Sequence, residues 1–352
     1  MSEFFAEKFR TLVPYVPGEQ PKERKYVKLN TNESPFSPSP KAIEYAAKAA
    51  QRAQLYPDPE CTRLREKAAA YYGVENQNLF VGNGSDEVLD FAFAAFGQKG
   101  AVFADVTYGF YKVFAARNGV AYREIPLRAD FTIDANDYVK TPETVFIANP
   151  NAPTGLVLSL GEIEEIVKSD LSRVVVVDEA YVDFGGESAV ALAKRYPNLL
   201  VTQTFSKSRS LAGARLGFGI GNAALIADLN TLKYSLNPYN VNAMTQAAGE
   251  GALEDEAYTR ANCAEVARVR EKTKKALANL GFSGTDSMAN FLFAKSDAIA
   301  GKDLYEALKA RGILVRHFET ERLRDYNRIS VGSEEEMNTL LKAIETILEE
   351  RK

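Results

Sequence analysis

Leu199-Leu200-Val201-Thr202-Gln203-Thr204-Phe205-Ser206-Lys207-Ser208-Arg209-Ser210-Leu211-Ala212-Gly213-Ala214-Arg215, followed closely by Gly217-Phe218-Gly219-Ile220-Gly221, places a lysine in the connection between two apolar runs. Both runs read as buried strands. Lys207 therefore sits at the edge of a core, where an unpaired cation is costly. A lysine amine loses its proton readily when partly desolvated or set near another cation, and can then attack a carbonyl. Ser206, Ser208 and Arg215 beside it suit a phosphate attached to that carbonyl compound.

Outward from this segment, strand and helix signals alternate. Residues 79–81 read as a strand turning through Gly82 and Gly84 into an apolar helix at 88–96. Residues 101–103, 144–148, 173–177, 199–204 and 218–220 continue the strand series, and 160–167 reads as a crossover helix. That alternation predicts an α/β domain with a mainly parallel sheet. Ligands in such sheets bind beyond the carboxyl ends of the strands. The loop at Asn149, Asp178, Lys207 and the Gly82 turn all fall at those ends.

After about residue 240 the pattern shifts to long helices with short strands. Residues 250–280 form one helical pattern stopped by Gly281, and 291–293 and 313–315 read as strands. Ser333 with Glu336 is a capping-box signature. It opens a terminal helix with Met337, Leu340, Leu341, Ile344, Ile347 and Leu348 on one face. We expect a large domain over 31–240 and a smaller α+β domain from 241–352 joined by 1–30. Pro14, Pro17, Pro21, Pro35, Pro38 and Pro40 mark an irregular lead-in.

The 352 residues, 46% hydrophobic and 26% charged, are ordinary for a globular protein large enough for two domains. A net charge of -4 without basic clusters argues against a nucleic-acid partner. No apolar run is long enough to span a bilayer, and residues 1–10 lack a signal-peptide core, so a cytoplasmic, non-membrane location is expected. Cys61 and Cys263 read as free, buried thiols. His317, the sole histidine, cannot build a multi-histidine metal site, and no metal is expected.

The form S-K-x(several)-G-x-R resembles the lysine segment of aminotransferases of the large pyridoxal-phosphate fold, fold type I. The likeness continues in Asn149-Pro150-Asn151-Ala152-Pro153-Thr154-Gly155, in Val174-Val175-Val176-Val177-Asp178-Glu179-Ala180-Tyr181, in Gly82-Asn83-Gly84-Ser85-Asp86-Glu87 and in Tyr56-Pro57-Asp58. It covers nearly the whole chain and is strongest to the branch acting on histidinol phosphate. The resemblance implies pyridoxal 5'-phosphate as cofactor, with Lys207 as the catalytic amine. A buried carboxylate must keep the cofactor's ring nitrogen protonated, and Asp178, ending four valines, fits. Gly84, Ser85 and Asp86 open a helix whose N-terminus, with Ser206 and Arg215, suits the phosphate.

The resemblance further sends Tyr181 to the cofactor's phenolic oxygen, Tyr108 to its ring face, and Tyr56 of a neighbouring subunit to its phosphate, implying a homodimer. Where many relatives have asparagine before Pro-Thr-Gly, Ala152 stands here. Asn151 is the expected replacement, with Asn149 second. Arg328 and Arg316 are expected to grip the anions of histidinol phosphate and of glutamate or 2-oxoglutarate, with Tyr15 and Asn32 as further substrate contacts. Amino transfer among these substrates is the implied reaction. Aromatic amino acid aminotransferase and threonine-phosphate decarboxylase remain open alternatives. No Walker motif, dinucleotide glycine spacing or Ser-x-x-Lys spacing is present.

Overall fold

Four consecutive valines suit a strand covered on both faces, and Val175–Asp178 lies in the middle of a seven-stranded sheet. A computed structural model describes residues 2–351. The strand order is Leu79–Gly82, Gly217–Gly221, Leu199–Thr204, Val175–Asp178, Thr144–Ala148, Ala101–Ala104, Tyr122–Ile125. Gly217–Gly221 runs antiparallel to both neighbours, and the other pairs are parallel. Alternate side chains feed two cores. Val175, Val177, Leu199 and Val201 face one, whereas Val176, Leu200, Phe146 and Phe103 face the other.

A third core belongs to the C-terminal part. It joins a four-stranded antiparallel sheet, ordered Arg316–His317, Asn327–Ser330, Phe291–Ser296, Phe282–Gly284, to the helices Glu256–Asn279, Gly301–Ala310 and Glu334–Glu349. Ser333 and Glu336 form the expected capping box, and Met337, Leu340, Ile344 and Ile347 are buried. The N-terminal arm is fastened to this unit. Val27–Lys28 pairs in parallel with Ile313–Leu314, Arg24 donates to the carbonyls of Lys309 and Ala310, and Glu19 pairs with Lys309.

Two local expectations are corrected. Pro40, read as part of an irregular lead-in, is the first residue of the helix Pro40–Ala50, where its missing N–H costs nothing. Ser39 caps it, accepting from Ala42 N at 3.2 Å. The single helical pattern over 250–280 is two helices, Ala243–Glu254 and Glu256–Asn279. At the break, Asp255 leaves helical geometry at φ −100°, ψ 43°, and its carboxylate accepts the backbone N–H of Lys41, inside the first turn of Pro40–Ala50. Ala248, Ala252 and Leu253 pack into the large unit's core, while Cys263, Val266 and Val269 pack into the small one. We propose on that basis that the two units divide at Asp255 rather than at 240.

Helix Ala243–Glu254 meets Pro40–Ala50 at backbone contact. A Cβ on Gly251 would lie 2.5 Å from the Lys41 carbonyl oxygen and 2.7 Å from Ala42 N. Alanine would gain about 1 kcal/mol of helix propensity there, but backbone atoms cannot give way as a side-chain tip can. Gly251→Ala is therefore expected to destabilise the fold by a net ~1–3 kcal/mol. The check is a lower urea midpoint at unchanged slope.

Candidate active site

The strand ends converge as the alternation predicts. A cavity of 390 Å³ is lined by Ser85, Asp86, Tyr108, Asp178, Tyr181, Ser206, Lys207 and Arg215, together with Thr31, Glu33, Ala148, Ala152 and others. Lys207 is half-buried among them, its Nζ donating to the Thr31 carbonyl at 3.2 Å and lying 5.8 Å from the Tyr181 ring centre. Burial, reinforced by the Arg328 charge, brings its amine down to about 8. A usable neutral fraction thus exists near neutral pH, as a nucleophile or base requires.

Asp178 is 5% exposed. It is set beside Ala148 and Thr202 by strand register. The Tyr111 hydroxyl donates to its Oδ2 at 3.0 Å and the Thr202 hydroxyl to its Oδ1 at 3.4 Å. Burial pushes the carboxyl up to about 6 against the pull of Tyr111. The next residue illustrates the alternation of a strand. Glu179 turns away from the cavity, accepting from the Ser188 hydroxyl, the Ala189 N–H and Gln203 Nε2.

At the opposite end lies an anion cup. Helix Ser85–Phe96 presents its N-terminus, with Gly84 before it at φ +85°. A Cβ on Gly84 would lie 2.6 Å from Arg215 Nη2, and one on Gly217 would lie 2.2 Å from Ser85 N. Both glycines thus clear the space that lets the guanidinium and the helix start close in. Arg215 donates to Asp86 Oδ2 at 2.9 Å and to Ser206 Oγ at 3.4 Å, and the Tyr108 hydroxyl donates to Asp86 Oδ1 at 2.8 Å.

A second cavity of 630 Å³ adjoins the first through Thr31, Tyr108, Ala152, Tyr181 and Lys207. It holds Tyr15, Asn32, Arg316 and Arg328, and Tyr15 packs 4.7 Å from Phe110 between ring centres. Arg316 and Arg328 are cross-strand partners in the antiparallel pair. Neither pairs with a carboxylate among the described residues. Arg328 donates to the Asn30 carbonyl at 3.0 Å while its Nε is buried without a partner. Burial holds its guanidinium below the ordinary arginine value, and the Arg316 charge acts in the same sense.

Three expectations require correction or qualification. Asn151 does not line either cavity. Its Nδ2 donates to the Val106 carbonyl at 2.9 Å and to Thr154 Oγ1, and its Oδ1 accepts the Thr107 hydroxyl. Asn149 is likewise engaged, with the backbone of Leu158 at both amide ends. In their place Pro150 and Ala152 line the first cavity, and Ala152 and Pro153 the second. Ser208, grouped with the phosphate donors on sequence, instead donates to Asp183 beside the buried Arg209. Tyr56 lies outside its own chain's cavity, 81% exposed and stacked on Tyr239 at 4.6 Å. Tyr111 escaped the sequence reading because nothing local joins it to a carboxylate 67 residues away.

The donor set fits pyridoxal phosphate. It comprises an amine for an aldehyde, a buried carboxylate for a ring nitrogen, a phenol at Tyr181 and an anion cup between glycine-cleared walls. Fold, site and sequence place the chain in one class, for residues 24–344 match the aminotransferase class I and II family, and the chain belongs to it. It is 49% identical to histidinol-phosphate aminotransferase of a Marinomonas species over 99% of this chain and 100% of that one. It is 46% identical to the protein of that name from Brachyspira hyodysenteriae, over 99% of each. A crystal structure of histidinol-phosphate aminotransferase from Sinorhizobium meliloti in complex with pyridoxal-5'-phosphate superposes with a TM-score of 0.90 over 100% of this chain and 99% of that one. At 23% identity that match speaks for the fold.

The buried carboxylate has a measurable cost. Asp178 binds its proton more tightly folded than unfolded, so it removes stability as pH rises from 3.8 to about 6. Above that window the loss is constant, on the order of 3 kcal/mol. Asp178→Asn apoprotein is therefore expected to melt higher than wild type near pH 7, with little difference near pH 4. Calorimetry of the cofactor-free proteins at both pH values checks it.

Proposed function

We propose that this chain transfers an amino group between L-histidinol phosphate and 2-oxoglutarate, giving imidazole acetol phosphate and L-glutamate, with pyridoxal phosphate in the cavity around Lys207. One observation carries the choice of substrate. Arg316 and Arg328 are cross-strand partners that line one cavity, and among the described residues neither pairs with a carboxylate. Like charges so placed repel, and a phosphate monoester, with close to two negative charges, offsets that repulsion better than one carboxylate. The curated relatives named above support the same reading. Similarity of fold alone would not, since one fold serves many substrates.

When bound, pyridoxal phosphate supplies an aldehyde that captures the amine and a ring that accepts the electron pair left by a departing proton. Lys207 Nζ would carry a proton from the substrate carbon bearing nitrogen to the carbon of the cofactor's aldehyde, as a partly neutral amine can, so that the amino group is left behind rather than the substrate restored. Asp178, steadied by Tyr111 and Thr202, keeps a negative charge deep in the cavity, where it holds a proton on a ring nitrogen. Ser206, Arg215 and the N-terminus of Ser85–Phe96 hold the phosphate, and the Tyr108 ring forms one wall. Arg328 serves the carboxylate of 2-oxoglutarate, and Arg316 adds to it for the phosphate of the other substrate.

The same reading includes a homodimer and a cytoplasmic location. Tyr56 is exposed, stacked on Tyr239 and beside a cleft it lines with Leu55, Pro57 and Met244, a surface which a second copy would cover while bringing Tyr56 to its partner's phosphate cup. Among the described residues no helix is long and apolar enough to cross a membrane.

Two outcomes test this reading. Each charge-assisted contact contributes roughly 1.5–3 kcal/mol. Histidinol phosphate should therefore exceed histidinol in kcat/KM by about two orders of magnitude or more. Arg316→Ala should erode that preference more than it slows glutamate turnover. Equal use of both donors, or better use of phenylalanine, would turn the assignment to aromatic amino acids, and carbon dioxide release from threonine phosphate would turn it to decarboxylation. Separately, mixing Tyr56→Phe with Lys207→Ala protein should restore activity above that of either parent, because one site of each mixed dimer then keeps all its residues. Subunit exchange without any such gain would end the shared-site proposal.

A further inference from the structure

Ala152 leaves the cavity wall without the amide that the Asn-Pro-Thr-Gly form of this loop would supply, and Asn149 and Asn151 are both engaged elsewhere. We propose that Asn32 takes over this duty indirectly, as a positioning residue that turns the Tyr181 proton into the cavity. The inference rests on the cofactor reading above.

The hydrogen bonds around Asn32 fix the direction of each proton. Its backbone N–H donates to Ser330 Oγ at 2.8 Å, so the serine hydroxyl is free to donate to Asn32 Oδ1, at 2.9 Å. That assigns the oxygen end of the amide, because a carbonyl oxygen accepts and an NH₂ group donates. The nitrogen end therefore faces Tyr181 and donates to its phenolic oxygen at 3.1 Å. The Tyr181 proton cannot point back along that bond. Among the described residues the phenol donates to no protein acceptor, and its ring lines both cavities.

The surroundings hold Asn32 in this pose. It is 1% exposed, and Asn290 Nδ2 donates to its carbonyl at 3.0 Å. Its φ of +54° lies in the left-handed region, which asparagine tolerates better than most residues. Asn32 also touches the substrate-side cavity, the position from which a substrate contact was expected, but both ends of its amide are already bonded. An N–H bonded to a phenol oxygen polarises the O–H and makes it a stronger donor. The charged groups around the phenol are Arg328, Asp178, Asp86 and Lys207.

The test reads the pH midpoint at which the visible absorbance of bound pyridoxal phosphate changes, in wild type, Asn32→Gly, Asn32→Asp, Tyr181→Phe and the doubles. Glycine accepts the same φ without strain, and aspartate keeps the shape but offers the phenol an acceptor. A weaker donor at Tyr181 favours the protonated form, so Asn32→Gly should raise the midpoint by about half to one unit, the size of one neutral hydrogen bond. Asn32→Asp should raise it at least as far. Neither should add anything in the Tyr181→Phe background, and KM for histidinol phosphate should stay within about twofold while kcat falls. An unmoved midpoint, or an equal shift with Tyr181 absent, overturns the inference. A raised KM with an unmoved midpoint overturns it too and returns Asn32 to the substrate. Wild type that shows no visible band and no borohydride label on Lys207 overturns the cofactor reading itself, and the inference with it.

Discussion

Withdrawing the Lys207 amine partly from water, within reach of the Arg328 charge, is the constraint around which the rest of the structure is arranged. Desolvation and a neighbouring cation both favour the neutral amine, and together they bring it to about 8. Such a site needs rigid walls, because water entering would restore the ordinary lysine. The walls combine sheet and helix ends with the loops that carry Thr31, Glu33, Tyr108 and Ala152. Lys207 follows Leu199–Thr204, Asp178 ends Val175–Asp178, and the anion cup opens Ser85–Phe96. Gly84 and Gly217 remove the side chains that would hold those walls apart.

The same low-polarity interior governs Asp178, with opposite effect. Burial favours its neutral form, and only the Tyr111 and Thr202 hydroxyls and a backbone N–H oppose this. A carboxylate held partly against its preference is a strong partner for any proton that faces it. It also costs stability in the empty protein, the usual trade when a site is built for charge.

Much of this was legible in the sequence because period and burial leave plain marks. Apolar runs bounded by glycine marked the sheet, the valine run marked a strand buried on both faces, and Ser333 with Glu336 marked the start of the last helix. The residues at the strand ends followed, since topology brings those ends together. What escaped was set by contacts distant in sequence. Tyr111 meets Asp178 from another element, and Asp255, where the helical pattern breaks, accepts the Lys41 N–H of a helix more than 200 residues earlier in the chain. Asn151 had the right chemistry, yet the turn of its own loop directs the amide toward Val106 and Thr154. A residue type can be read from a motif, but the direction of its side chain is decided by the backbone around it.

The fastening of the N-terminal arm has a mechanical consequence. Arg24, Val27 and Glu19 tie the arm to Lys309, Ala310 and Ile313, and the arm carries Tyr15, Pro17 and Gly18 to the wall of the larger cavity. Arg316 and Arg328 belong to the same unit. A movement of the small unit would therefore carry Arg316, Arg328 and the fastened part of the arm together, while Tyr15, packed on Phe110 of the large unit, is the contact that would have to slide, and Lys207, Asp178 and Arg215 would stay with the large sheet.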